Sequence, residues 1–204
     1  MGRGLTGPLL VLSLLLTFGS AAGAAFAAPG RTAILAGGCF WCLEHDLESL
    51  PGVIEAVSGY SGGELEDPSY RQVSKGETDH IEVVKVSFDP ELISYNGLLD
   101  AFWRNVDPLD GGGQFCDRGS QYTSAIFTEG DEQRQAAERS AASIREQLDV
   151  ESLATEIRPA VPFYPAEKYH QNYAKNNKRK YKFYRWRCGR DARLNALWGG
   201  EREQ

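Results

Sequence analysis

From residue 80 to 88 the chain reads HIEVVKVSF, and every second position falls on one strand face: His80, Glu82, Val84, Val86 and Phe88. An apolar face of this kind points into a core and leaves a carboxyl, Glu82, near its end. Residues 39–50 show the other period: Leu43, Leu47 and Leu50 share one face of a helix that Pro51-Gly52 stops. Around these two anchors the pattern predicts strands at 32–36, 53–58 and 122–128, with Gly37-Gly38 forming a tight turn after the first. Helices are predicted at 95–106 and 132–148, and an edge strand at 156–161, bounded by Pro159 and Pro162. The segment GYSGGE, 59–64, reads as a glycine-rich loop, Asp67-Pro68-Ser69 opens a turn or short helix carrying Tyr70, and 107–117 is a long loop. The order β-α-β-β-α-β-α-β predicts an α+β fold of the ferredoxin-like split β-α-β kind. That is a mixed sheet with packed helices, followed by a largely irregular C-terminal tail over 175–204. No linker marks a second domain, so 29–204 is expected to be one unit.

The first 28 residues are set apart by a different pattern. A basic start at Arg3, an apolar run from Leu9 to Phe18 and small residues around Ala25-Phe26-Ala27 make the layout of a cleavable export signal. The run is too short to span a bilayer comfortably, and no later stretch reaches the roughly 18 apolar residues a membrane helix needs. About 175 residues remain, enough for one domain with a full core. Removing the leader takes away Arg3 and no acid, moving the net charge from −6 to −7. The expected product is an exported protein, soluble and monomeric, in a periplasm-like space or secreted.

Charge is unevenly spread. Residues 28–174 hold 11 basic and 25 acidic side chains, whereas 175–193 hold nine basic ones and a single acid, Asp191. A basic stretch interleaved with aromatics can bind nucleic acid, but an exported protein with an acidic body would repel phosphates. The tail is therefore expected to lie against that body, with Tyr181, Phe183, Tyr184 and Trp186 packing.

Four cysteines, Cys39, Cys42, Cys116 and Cys188, are compatible with two structural disulfides in any of three pairings. A domain this size does not need such staples, and a bridge from 39 to 42 would constrain the unfolded chain little. Haem attachment is excluded because Leu43 stands where C-x-x-C-H needs histidine. Zinc is disfavoured, since His45, His80 and His170 show no ligand spacing with a cysteine. Redox or nucleophilic chemistry is left. Cys39 follows a strand and a Gly-Gly turn at a helix start, where free N–H groups and the helix dipole would favour a thiolate. Glu82, at the end of an apolar face, is expected to be desolvated and protonated, fit to act as a general acid; the alternative is a strand-end glutamate reaching solvent. Phe40 and Trp41, between the cysteines, make either the apolar side of a helix start or a platform for a sulfur-bearing group.

These residues carry a resemblance. Gly37-Gly38-Cys39-Phe40-Trp41 is similar to the signature of the A-type peptide methionine sulfoxide reductases. Further blocks follow in family order: Gly59–Gly63, Pro68-Ser69-Tyr70, Thr78–Glu82, Asp117–Tyr122 and Ala166–Gln171. The resemblance implies that Cys39 attacks the sulfoxide sulfur of an oxidised methionine and becomes a sulfenic acid, the reversible rung of thiol oxidation. It implies that Glu82 protonates the departing oxygen with help from the Tyr70 and Tyr122 hydroxyls, that Phe40 and Trp41 hold the methyl group, and that Asp117 orders the pocket together with His80. The family acts on the S epimer, free or within proteins. Cys42 stands where many relatives have glycine and is the first choice to resolve the sulfenic acid, ahead of Cys188 and then Cys116. Asp79 brings an extra acid close to Glu82 in sequence. A thioredoxin-like protein is the expected external reductant, with no bound cofactor and no metal. The rival readings are an exported thiol–disulfide oxidoreductase using Cys39 and Cys42, and a non-catalytic binding protein with two structural disulfides.

Overall fold

A computed structural model describes residues 1–2 and 31–199; apart from its first two residues, the predicted leader lies outside the described residues. Strand β1 (Arg31–Gly37) runs into helix α1 (Phe40–Glu48), followed by β2 (Val53–Ser61), the short α2 (Tyr70–Val73) and β3 (Ile81–Phe88). Next come α3 (Tyr95–Trp103), a small hairpin of β4 (Gly113–Gln114) and β5 (Asp117–Arg118), a 3-10 turn over Ser120–Tyr122, and β6 (Ser124–Thr128). The chain continues through α4 (Gly130–Leu148), β7 (Glu156–Pro159) and β8 (Tyr164–Pro165) to α5 (Tyr173–Asn176), α6 (Lys178–Arg187) and α7 (Arg190–Trp198).

Six strands form one mixed sheet in the order β7-β6-β1-β3-β2-β8. All neighbours are antiparallel except β6 and β7, which run parallel. β3 lies between β1 and β2, and its alternation separates two cores. Val84, Val86 and Phe88 join Leu43 and Leu47 of α1 and Leu98, Leu99 and Phe102 of α3 in the larger cluster. Ile81 and Val83 face a smaller one with Ala36, Ala125 and Phe127. Each large side chain buried this way contributes about 1.5–3 kcal/mol, which is why the sheet centre fixes the register of Glu82. The predicted mixed sheet with packed helices is the fold observed, with β7 at one edge as its prolines require.

Three expectations are corrected. Gly59, Tyr60 and Ser61 extend β2 instead of looping, because Tyr60 pairs with both Glu82 and Tyr164. Tyr122 ends a 3-10 turn, and the strand begins at Ser124. The tail is helical, not irregular. Like charges along KRKYKFYRWR disfavour an isolated helix, but tertiary contacts outweigh them. Tyr181 is buried, and Arg185 reaches Asp46 at 2.9 Å and Asp191 at 2.7 Å. Gly189, at φ +66°, separates α6 from α7. Beyond it the fully buried Arg190 donates to the carbonyl of Asn105 at 2.6 Å and that of Gly37 at 3.4 Å, while its guanidinium lies 4.5 Å from the Phe115 ring centre. The tail thus complements the acidic body as charge predicted, but Phe183 and Trp186 do not pack: they remain 58% and 67% exposed.

Arg185 holds two mostly buried carboxylates, so Arg185→Ala is expected to destabilise the protein by about 3–5 kcal/mol in urea unfolding. Adding Asp46→Asn and Asp191→Asn should recover most of the loss. A single-variant change below about 0.5 kcal/mol would show that these bonds do not anchor the tail.

Candidate active site

The turn after β1 sets the site. Gly38 has φ +79°, and a Cβ there would come within 2.5 Å of the Gln114 side chain. Gln114 is fully buried and closes its own loop, accepting from Asp107 N–H and donating to Asp107 O, both at 2.8 Å. This turn delivers Cys39 to the N-cap of α1, with its side chain making no capping bond.

The first N–H of α1 is directed to a different group. Phe40 N–H donates to Glu82 Oε2 at 2.9 Å across the sheet–helix junction. Glu82 is 2% exposed, and burial pushes its pKa up to about 8, against the Phe40 bond, with Asp117 adding a further rise. Glu82 is therefore a neutral acid near pH 7, as its place on the strand predicts. The extra negative charge acting on it comes from Asp117 and then Cys42; Asp79 acts on His80.

Cys39 differs from its expectation. Burial pushes its thiol well above the ordinary range, with a hydrogen bond to Cys42 and the nearby Glu82 and Asp117 acting in the same direction. Burial outweighs whatever the helix start offers a thiolate, and the leading N–H of the helix serves Glu82 instead. Cys42 lies one helical turn on, buried beside Ala174 and Tyr181. The bond to Cys39 and the nearby Arg190 shift its thiol downward, against burial.

Tyr70 and Tyr122 meet through their hydroxyls, and both feel Cys39 and Glu82. Burial pushes Tyr70 up to about 12 and raises Tyr122 as well, so both stay protonated donors. Asp117 accepts a hydrogen bond from the Tyr184 hydroxyl of α6, and burial raises its pKa. The structure therefore brings Cys39, Glu82, Tyr70, Tyr122 and Asp117 together.

His80 is placed elsewhere. Its Nδ1 lies 3.1 Å from Thr78 O and its ring stands edge-on to Tyr164. The histidine at the aromatic wall is His170, a residue quoted in the resemblance without a role. Its Nδ1 accepts from Trp41 Nε1 at 3.0 Å, and its ring centre lies 4.3 Å from Tyr70 and 5.0 Å from Phe40. Burial lowers its pKa, consistent with a neutral ring accepting at Nδ1. Glu167 receives the Tyr60 hydroxyl at 2.8 Å and Tyr70 N–H at 2.9 Å, which hold its carboxyl below the usual range against partial burial. Trp41 stacks on Tyr173 at 3.7 Å and meets Tyr184 edge-on at 6.0 Å. Phe40 is almost fully buried in the main core.

Cys116 and Cys188 are joined as a disulfide, while Cys39 and Cys42 are free. Neither period nor spacing pointed to that bond, which spans 72 residues. With Asp117 the bonded pair forms a grouping of potential metal-ligand atoms within 4.8 Å, but its two sulfurs are bonded to each other.

A buried thiol beside a neutral carboxylic acid and two phenols, with a second thiol one turn away, defines a thiol-dependent oxidoreductase. The family described as peptide methionine sulfoxide reductase matches residues 31–202. The chain is 47% identical over 192 residues to peptide methionine sulfoxide reductase MsrA 2 of Caulobacter vibrioides, covering 94% of this chain and 97% of that one. It is 43% identical to MsrA of Bacillus licheniformis, covering 84% and 96%. Among solved structures, yeast Mxr1 in reduced form superposes with a TM-score of 0.70 at 32% identity, covering 74% of this chain and 87% of that chain. Methionine sulfoxide reductase A of Corynebacterium diphtheriae gives 0.69 at 32%, covering 74% and 76%. The chain belongs to the A-type peptide methionine sulfoxide reductase family.

Alkylation tests the corrected state of Cys39. With iodoacetamide and peptide mapping, its labelling in the resting protein should still be rising at pH 9. A plateau reached below pH 7 would mean the helix start does hold a thiolate.

Proposed function

We propose that this chain reduces methionine-S-sulfoxide, free or in proteins, by the following division of labour. The observation that carries it is Glu82, neutral and pinned to Phe40 N–H beside Cys39. Cys39 sulfur attacks the sulfoxide sulfur, and the S–O oxygen gains proton density from Glu82, with Tyr70 and Tyr122 donating hydrogen bonds to the charge that develops on it. The oxygen is transferred to Cys39 as methionine leaves, so the thiol becomes a sulfenic acid while the sulfoxide becomes a thioether. Trp41 and Phe40 form the apolar wall for the methyl group, held by His170 and Tyr173. Asp117 orders the pocket from its other side.

Cys42 then condenses with the sulfenic acid, releasing water and closing a disulfide. Three facts favour it over Cys188 and Cys116: it is free, it is hydrogen-bonded to Cys39, and its thiol is shifted toward the thiolate. A dithiol protein of the thioredoxin class returns the electrons by exchange. Thiols supply every electron in this cycle, so it calls for neither a resident organic cofactor nor a metal. The leader layout supports an exported, periplasm-like setting, and no helix among the described residues is long and apolar enough to cross a membrane. The protein is read as a monomer.

Glu82→Gln keeps the shape and removes the acid. First-turnover sulfoxide reduction should fall by about 10²–10⁴-fold. The wild-type rate at this step should decline as pH rises through about 8, where Glu82 ionises, and the residual rate of the variant should lose that decline. Exchange between the Cys39/Cys42 pair and an external disulfide should survive. Unchanged sulfoxide reduction in the variant would remove Glu82 from the mechanism.

A further inference from the structure

Helix α6 is amphipathic in an unusual sense. Tyr181, Tyr184 and Arg185 face the body, and the opposite face presents Arg179, Lys182, Phe183, Trp186 and Arg187. Phe183 and Trp186 are 58% and 67% exposed, with ring centres 6.0 Å apart. Among the described residues, no ion pair neutralises Arg179, Lys182 or Arg187, although the body of the protein is acidic. A groove of about 470 Å³ opens alongside, with Lys182 and Trp186 on one wall and His45 and Asp46 on the other. The helix ends at Arg187, and the next residue is Cys188 of the disulfide, whose partner Cys116 is exposed.

We propose that this cationic, aromatic face of α6 is the docking surface for the external reductant, a dithiol protein with an acidic, partly apolar surface around its thiols. The inference rests on the reductase reading above and adds where and how electrons enter. Charge complementarity selects an acidic partner and speeds encounter, while Phe183 and Trp186 provide the desolvated contact that anchors it. Position selects a dithiol protein over other anionic surfaces, because the face runs directly into a solvent-accessible disulfide. The reductant's thiolate attacks Cys116 Sγ, forming a mixed disulfide while Cys188 leaves as a thiolate. The reductant's second thiol then displaces Cys116. The partner is oxidised to its own disulfide, and Cys116 and Cys188 are reduced to thiols by two electrons and two protons. Cys188, whose Sγ lies 3.8 Å from Asp117 in the active site, then reduces the Cys39–Cys42 disulfide by exchange and re-forms its bond to Cys116.

The test reads opening of the Cys116–Cys188 bond in the full chain, without any sulfoxide present, using reduced thioredoxin of net negative charge as the probe. The wild-type second-order rate should fall as salt rises. Arg179→Glu/Lys182→Glu/Arg187→Glu should lower it by about tenfold or more at low salt, and Phe183→Ser/Trp186→Ser should lower it at all salt concentrations. Dithiothreitol should open the same bond at equal rates in all three proteins, showing that the variants remain folded. Equal thioredoxin rates in all three would overturn the assignment, as would failure of thioredoxin to open the wild-type bond. Binding to phosphatidylglycerol vesicles that both variants lose, with thioredoxin rates unmoved, would overturn it in favour of a membrane surface. Because no sulfoxide is involved, a failed sulfoxide assay and a failed docking assay point to different errors.

Discussion

The bond from Phe40 N–H to Glu82 Oε2 joins the two halves of the chemistry. One end belongs to the helix that begins at the nucleophile, the other to the central strand of the sheet. Its geometry is set by burial on both sides: Val84, Val86 and Phe88 fix the register of β3, and Leu43 and Leu47 seat α1 on that strand. The bond has two consequences. It keeps aimed at the site a carboxyl that burial leaves neutral, and it occupies the leading helix N–H, while burial holds Cys39 as a thiol. The resting enzyme therefore holds a protonated acid and a protonated thiol, poised to react only when a sulfoxide arrives to accept both the sulfur's attack and the proton.

Around this pair the protein separates its cysteines by burial. Cys39 and Cys42 lie inside, under Tyr181 and Tyr184 of the tail; Cys116 lies at the surface, bonded to Cys188. The tail that carries Cys188 is attached to the catalytic turn itself, since Arg190 donates to the carbonyl of Gly37, two residues before Cys39. Its charge complements the acidic body at Asp46 and Asp107 and is braced internally by Asp191, while Arg179, Lys182 and Arg187 face outward on α6. One basic segment thus both closes the fold and presents a surface.

Much of this was legible in the chain. Alternation over 80–88 placed Glu82 on the core face, and the strand–Gly-Gly–helix pattern placed Cys39 at a helix start, because both depend on local periodicity backed by strong burial. What sequence reasoning missed depends on distant partners. His170 rather than His80 stands at the aromatic wall, and only the fold brings it to Trp41, 129 positions away. Gln114 and Glu167 are buried or half-buried polar residues whose roles arise from loop closure, with no periodic signal. The helical tail depends on contacts from Arg185 to Asp46 and Asp191 that no local pattern shows. The Cys39 thiolate was expected because the burial that raises its thiol is set by distant packing and cannot be seen from spacing. The blocks quoted in the resemblance did include Ala166–Gln171, so a closer reading of that block would have flagged both Glu167 and His170.

The most direct test uses the resting protein, with Cys116–Cys188 intact and two free thiols, given one equivalent of each epimer of peptide methionine sulfoxide and no reductant. Epimers are resolved by chromatography, remaining thiols counted and the new bond mapped by mass spectrometry. The account predicts that only the S epimer is consumed, once per chain, with both thiols lost to a Cys39–Cys42 disulfide. Survival of both epimers with both thiols intact would contradict it.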